Sequence, residues 1–362
     1  MTTSAFSASY AEARAKFLHE ATAAGATLTA HAHPEKGPDG GELFTDCAWI
    51  GPVDAPKVLV LVSGTHGVEG YCGSGAQIDW LRRREHSLAG EGTAVLLIHA
   101  INPYGFAWKR RVTHENVDMN RNFVDFSAPL PVNARYAELA DAIKPVDWSE
   151  ETQTASRGRI LSFAREHGFP ALAQTVSGGQ YTHPDGIFFG GNGPTWSRLT
   201  LERIFAEQLS NAREIGIVDY HTGLGPEGYA EPIITTSPGS PETLRAVAWH
   251  GAAAKVIGNG DSASADIAGD WLCAAPSLLP HAQVTGISLE YGTVDSTIVL
   301  DALRADNWLH AHGDPSGPQA AAIKAQILAA FYVDTDNWRG MVLGQSLMAV
   351  RQAMYGLAGA AQ

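Results

Sequence analysis

The run Val58-Leu59-Val60-Leu61 stops at Val62-Ser63-Gly64-Thr65-His66-Gly67-Val68-Glu69-Gly70, and this junction constrains the chain more than any other stretch. Consecutive branched apolar residues read as a strand buried on both faces, and the glycines after them as the turn that ends it. Positions 71–84 then carry apolar or small residues at helical spacing. A buried strand feeding a helix implies a sheet covered by helices, and in such sheets ligands bind beyond the carboxyl ends of the strands. His66 and Glu69 stand at that place. Imidazole nitrogen and carboxylate oxygen bind zinc at about 2.0 to 2.2 Å, and a catalytic zinc takes three protein ligands. The pair alone says little, because fourteen histidines give roughly one His-x-x-Glu by chance.

Further strands are expected at 47–50, 57–62, 94–99, 215–220, 232–236 and 284–290, and helical patterns at 7–24, 133–143 and 194–211. Strands alternating with helices predict an α/β three-layer sandwich around a mixed, largely parallel central sheet. The chain reads as a single catalytic domain over 1–362, since α/β enzymes of this size often form one. The stretch at about 149–193, with Gly178-Gly179, Pro184-Asp185-Gly186 and Gly190-Gly191-Asn192-Gly193, reads as a loop-rich insertion, and about 319–357 as two covering helices.

A formal charge of −13 argues against a nucleic-acid partner, which requires clustered Lys and Arg. Against that background Lys109-Arg110-Arg111 is a local exception and suggests an anionic ligand. Three cysteines, Cys47, Cys72 and Cys273, show no pairing pattern and fit a reducing compartment. No run approaches the roughly 18 apolar residues of a membrane span, and the amino terminus lacks a signal pattern. The expectation is a cytoplasmic protein without a membrane partner.

Three later segments repeat the arrangement of a strand that ends in reactive side chains. After 94–99 come Asn102-Pro103-Tyr104-Gly105-Phe106, the basic cluster, and Asn116-Val117-Asp118-Met119-Asn120-Arg121-Asn122-Phe123. A guanidinium fork beside an amide suits bidentate capture of a carboxylate. Ile217-Val218-Asp219-Tyr220-His221-Thr222-Gly223 delivers a histidine at a third strand end, and Ile287-Ser288-Leu289-Glu290-Tyr291-Gly292 a carboxylate at a fourth. Near a metal-activated water, such a carboxylate serves as general base and then as general acid.

Taken together and in this order, the four segments resemble the zinc carboxypeptidase superfamily of carboxypeptidase A, including its succinylglutamate desuccinylase and aspartoacylase branch. The likeness spans roughly 55–300 and is strongest to bacterial members catalogued as a domain of unknown function. The resemblance implies the fold of that superfamily and one zinc ion held by His66, Glu69 and His221. It implies Glu290 as the catalytic carboxylate and Asn120 with Arg121 as the pair that holds the substrate carboxylate. Asp118 then hydrogen-bonds the first histidine, which fixes its tautomer. The arginine that polarises the scissile carbonyl is Arg110 or Arg111, with Arg111 preferred. Tyr181, Tyr229 and Tyr291 all remain open for the tyrosine that such enzymes place near the leaving group, and the specificity residue between His221 and Glu290 is unassigned.

The expected function is zinc-dependent hydrolysis of an amide near a free carboxylate by a metal-activated water, as in a carboxypeptidase-like metallopeptidase acting on peptides. The alternative is a deacylase of small N-acyl amino acids, favoured if 149–193 closes over the metal. A non-catalytic metal or carboxylate binding protein is a third reading. No Gly-x-Ser-x-Gly elbow or phosphate loop is present. His31-Ala32-His33 and His310-Ala311-His312 offer paired imidazoles without a third ligand and read as surface or structural groups.

Overall fold

The computed structural model describes residues 2–260 and 262–359. Eight strands form one sheet: β1 Thr27–Lys36, β2 Glu42–Ile50, β3 Lys57–Val62, β4 Thr93–His99, β5 Glu214–Glu227, β6 Ala230–Ile234, β7 Lys255–Val256 and β8 Gln283–Gly292. Their spatial order is β1-β2-β4-β3-β5-β8-β6-β7. The middle four, β4-β3-β5-β8, run parallel, while β1, β2 and β6 pair antiparallel at the flanks. This is the mixed sheet expected from the alternation of strands and helices.

Among the described residues twelve α-helices accompany it. In chain order they are α1 Tyr10–Ala23, α2 Gly70–Arg82, α3 Pro103–Ala107, α4 Ala134–Ile143, α5 Glu150–His167, α6 Phe169–Ser177, α7 Trp196–Gln208, α8 Pro241–His250, α9 Trp271–Leu278, α10 Ser296–Ala311, α11 Ala320–Phe331 and α12 Asp336–Leu357. The period of two along a strand divides the core. Leu59, Leu61, Val95 and Leu97 pack with Phe17 of α1, Trp80 of α2 and Trp338 of α12. Val58, Val60, Val62, Leu96 and Ile98 pack on the other face with Leu201, Ile204 and Phe205 of α7 and Trp271 of α9. Every residue of β4 is buried, which explains why the parallel strands read as unbroken apolar runs. Three layers result.

A further apolar cluster lies outside these two, where Tyr136 of α4, Phe163 of α5 and Val176 of α6 meet Leu303 of α10 and Phe331 of α11. The segment that reads as loop-rich therefore begins with two helices, and only the part after Ser177 is irregular. Their signal is weak for a physical reason: α5 buries only Ser156, Ile160, Phe163 and Ala164 and carries Gly158 at mid-length. Its ends are nevertheless well marked. Ser149 accepts a hydrogen bond from the Thr152 N–H, Glu150 and Glu151 lie in the first turn, and Arg165 and His167 in the last, complementing the helix dipole. Strand β1 also escapes the pattern, since as an edge strand it is exposed along most of its length. Among the described residues no helix is long and apolar enough to cross a membrane.

The chain leaves β3 through α2 to reach β4 on one side, whereas β5 pairs on the other. Strand order thus reverses at β3, and a crevice opens beyond the carboxyl ends of β3 and β5. The sequence motifs stand at its edges.

Candidate metal centre and cavity

His66 enters the crevice from the turn after β3, and a single 3-10 turn, Gly67–Glu69, brings Glu69 round to the same side. Glycine is required here because a Cβ on Gly67 would lie 2.0 Å from the carbonyl carbon of Gly105. The loops after β3 and β4 meet backbone to backbone, and the N–H groups of Gly67 and Val68 donate to the carbonyls of Arg111 and Arg110 at 3.0 and 2.7 Å. His221 comes from β5, where it stands opposite Glu290 of β8 in the parallel ladder.

His66, Glu69 and His221 place their ligand atoms within 4.8 Å of one another, and all three residues are buried. The His66 Nδ1 lies 3.0 Å from Glu69 Oε1 and 3.2 Å from His221 Nδ1, and the latter lies 2.9 Å from Glu69 Oε2. The far nitrogen of each ring faces a carboxylate: His66 Nε2 is 3.1 Å from Asp118 Oδ1, and His221 Nε2 is 2.6 Å from Asp219 Oδ2. A proton on each Nε2 leaves two ring lone pairs and a carboxylate converging on one buried point. Arg111 and the Thr222 N–H donate to the Glu69 carboxylate, but two ring lone pairs facing each other with no donor between them are costly, so the point favours positive charge. The titration of His221 expresses the same demand in protons. Burial alone would lower its pKa, but Asp219 and Glu69 hold it well above the usual imidazole range. A borderline cation with nitrogen and oxygen ligands fits this donor set.

Charged groups surround the cluster. Burial by itself would raise Glu69, yet His66, His221 and Arg111 hold its carboxyl well below the ordinary carboxylate range. Arg111 spans Glu69 and Asp118, with Nη1 2.9 Å from Glu69 Oε1 and Nε 3.0 Å from Asp118 Oδ2. Arg110, the other candidate, is not brought here. Its Nε donates to Asp306 of α10 at 3.0 Å, in a separate buried cluster with Lys324. Adjacent residues of a loop point to opposite sides, and the loop ends Arg111 towards the crevice.

Glu290 Oε1 accepts the Leu224 N–H at 3.0 Å. Burial and the charge of Glu69 push its carboxyl up to about 8, against the opposing pull of His221 and that N–H. Arg121 is buried, its Nε and Nη2 donating to the Ser177 carbonyl at the end of α6 and its Nη1 to the Asn120 carbonyl. Asn120 Oδ1 has no hydrogen-bond partner among the described residues. His66, Arg111, Asn120, Arg121, His221 and Glu290 all line one cavity of about 700 Å³.

The family described as "Protein of unknown function (DUF2817)" matches residues 6–345. The chain belongs to this family. No curated protein matches it. Among solved structures, similar chains include the carboxypeptidase A of Helicoverpa armigera (13% identity, 89% of this chain and 73% of that one, TM-score 0.46). They also include the succinylglutamate desuccinylase of Chromobacterium violaceum (15%, 83% and 74%, TM-score 0.37) and the murein-tripeptide amidase MpaA of Escherichia coli O157 (14%, 80% and 93%, TM-score 0.36). The fold assignment of this family member rests on its sheet order and connectivity.

The site contains groups that sequence reasoning did not single out. Asp219 lies behind His221, and alternation along a strand puts both on one face, so Asp-x-His on β5 is a usable signal. Asp270, between His221 and Glu290, caps α9 by accepting the Cys273 N–H at 2.7 Å, while its buried Oδ2 has no partner among the described residues. The apolar wall comes from Ile160, Leu161, Phe169, Leu172 and Val176 of α5 and α6, with Phe188 and Phe331. None of the three candidate tyrosines lines the cavity. Tyr181 donates to the Arg121 carbonyl at 2.6 Å, Tyr291 is fully buried with its hydroxyl 3.3 Å from the Val342 carbonyl, and Tyr229 is exposed. His33 meets His114 and Trp196 edge to face, and His310 lies beside Lys324, so both paired-histidine motifs end in ring and ion contacts.

Proposed function

We propose that this protein is a zinc-dependent amidohydrolase that cleaves an amide bond near a free carboxylate. The observation that carries the reading is the convergence of His66 Nδ1, His221 Nδ1 and a Glu69 carboxylate oxygen beside a cavity lined by His66, His221, Arg111, Arg121 and Glu290. His66, Glu69 and His221 would hold the ion. When bound, it would supply Lewis-acid polarisation and acidify a water.

The chain's own groups do the rest. Glu290, with one oxygen fixed by the Leu224 N–H, accepts the proton of the attacking water and passes it to the leaving nitrogen. A carboxyl raised towards neutrality suits both halves of that task. Arg111 is held through Nε and Nη1, which leaves Nη2 to donate to the oxygen of the scissile carbonyl as charge develops there. Arg121 and the Asn120 side chain orient the substrate through its carboxylate, a positioning role worth several kcal/mol in well-ordered sites. Asp270, beside Thr235 and with its pKa raised by burial, puts a carboxyl group in the same cavity and favours a substrate that presents a hydrogen-bond donor there.

The size of the cavity favours a small substrate over a polypeptide. About 700 Å³ falls within the range of small-molecule sites, and α5 and α6 form one wall of it. An N-acyl amino acid with a bulky apolar acyl group is the second reading, while a carboxypeptidase requires that wall to admit a chain. Metal analysis of purified protein, followed by paired assays on blocked dipeptides and N-acyl amino acids, tests both. Full zinc occupancy in a His66→Ala variant would remove the ligand assignment. Turnover of blocked dipeptides alone would remove the deacylase reading.

A further inference from the structure

Each ring of the centre is backed by a carboxylate, but the two carboxylates are held differently. Asp118 is shared among His66 Nε2, the Asn120 N–H at 2.9 Å and the Arg111 guanidinium at 3.0 Å. Its charge is largely spent on an arginine. Asp219 is fully buried, and every donor it meets is neutral or is the ring itself. Thr65 Oγ1 donates to Oδ1 and Oδ2 at 2.9 and 3.0 Å, Trp271 Nε1 donates to Oδ2 at 2.9 Å, and His221 Nε2 lies 2.6 Å from the same oxygen. Thr65 belongs to the turn after β3, and Trp271 opens α9 on the other side, so the carboxylate is clamped from two elements independent of β5.

We propose that Asp219, clamped by Thr65 and Trp271, is the positioning residue that fixes the ring orientation and tautomer of His221 and makes that ring a strong nitrogen donor to the cation. The inference rests on the metal-centre reading given above. Three donors from three elements restrict the carboxylate to one place, and the short contact to Nε2 keeps the ring proton on that side. The Nδ1 lone pair then points at Glu69 and His66 without a competing tautomer. Outer carboxylates of this kind orient ligating imidazoles and raise their basicity, and their loss costs about 10- to 100-fold in metal affinity. Thr65 and Trp271 contribute by immobilising Asp219, so their effect on the metal passes entirely through it.

The test is the affinity of the purified full-length protein for Zn²⁺, measured by competition with a chromophoric chelator, with the visible spectrum of the Co²⁺-substituted protein as a second readout. Asp219→Asn should weaken Zn²⁺ binding about 10- to 100-fold and shift the cobalt bands, while metal-free protein retains its thermal unfolding transition. Thr65→Val and Trp271→Phe should each weaken binding by a smaller factor and leave the charge of Asp219 in place. A folded Asp219→Asn protein with wild-type affinity and an unchanged cobalt spectrum would overturn the proposal. If that variant does not fold, unchanged affinity in both clamp variants overturns it instead. A wild-type protein that binds neither ion would sink the metal-centre reading itself, which is a different result.

Discussion

The cavity has two unlike sides. Its floor consists of strand ends and their turns: His66, Glu69, His221 and Glu290 are buried, and each ring is braced by a carboxylate. Its wall consists of α5 and α6, where Leu161 is 43% and Phe169 65% exposed although both face the cavity. The floor is tied into the sheet by ladder hydrogen bonds and ion pairs. The wall is packed on α4, α10 and α11 and meets the site through the Ser177 carbonyl on Arg121 and the Gln174 side-chain amide, which bonds both the carbonyl and the N–H of Asp266 at 2.8 and 3.2 Å. The difference is one of chemistry: the floor presents charged and metal-ligating groups, the wall apolar ones. Substitutions in the floor should abolish reaction, whereas those in the wall should retune what is bound.

The largest expected effect is at Glu290. Glu290→Gln should lower kcat by about 10²- to 10⁴-fold, the usual worth of general acid–base catalysis, with zinc content unchanged by metal analysis. Arg111 follows, since loss of one donor to a developing oxyanion costs about 10²- to 10³-fold in kcat. Its neighbour supplies the control: Arg110→Ala should leave the kcat of the folded protein within a few-fold. It should instead lower stability in denaturant titration by up to about 3 kcal/mol, because Asp306 loses a buried guanidinium partner and keeps Lys324 and the His310 ring. Equal loss of turnover in both variants would break the contrast between them.

Smaller effects belong to substrate binding. Arg121→Ala should raise KM for substrates with a free carboxylate and leave their amidated counterparts unaffected, as read from paired Michaelis curves. Asp270→Asn retains a helix-capping side chain, so the protein should fold, and the expected change is a weaker preference for a substrate that presents a hydrogen-bond donor over an isostere without one. At the wall, Leu172→Ala should raise KM for bulky acyl groups about 10-fold with kcat preserved. An equal fall in kcat there would show that the wall shares in the chemistry and would erase the distinction.

How much of this was legible in the sequence follows the same division. Val58 to Leu61 and Ala94 to Ile98 announce themselves because a parallel strand covered on both faces has no polar position to interrupt the run. The residues at their ends could then be placed at one edge of the sheet before any distance was known. Arg110 and Arg111 could not be separated, because neighbouring loop residues differ only in the direction the backbone gives them. Helix α5 was hidden by its own surface, with four buried positions among eighteen residues. Its apolar cavity face depends on α10 and α11, more than a hundred positions away along the chain, and local periodicity carries no record of such partners.

The ladder that sets His221 opposite Glu290 has a geometric consequence. Neighbouring strands keep a spacing of about 4.8 Å, a dimension fixed by the peptide hydrogen bond. The separation of the two backbone positions is therefore set by the sheet, and no loop can stretch or shorten it. Changes in the length of the rim loops would leave that backbone spacing intact.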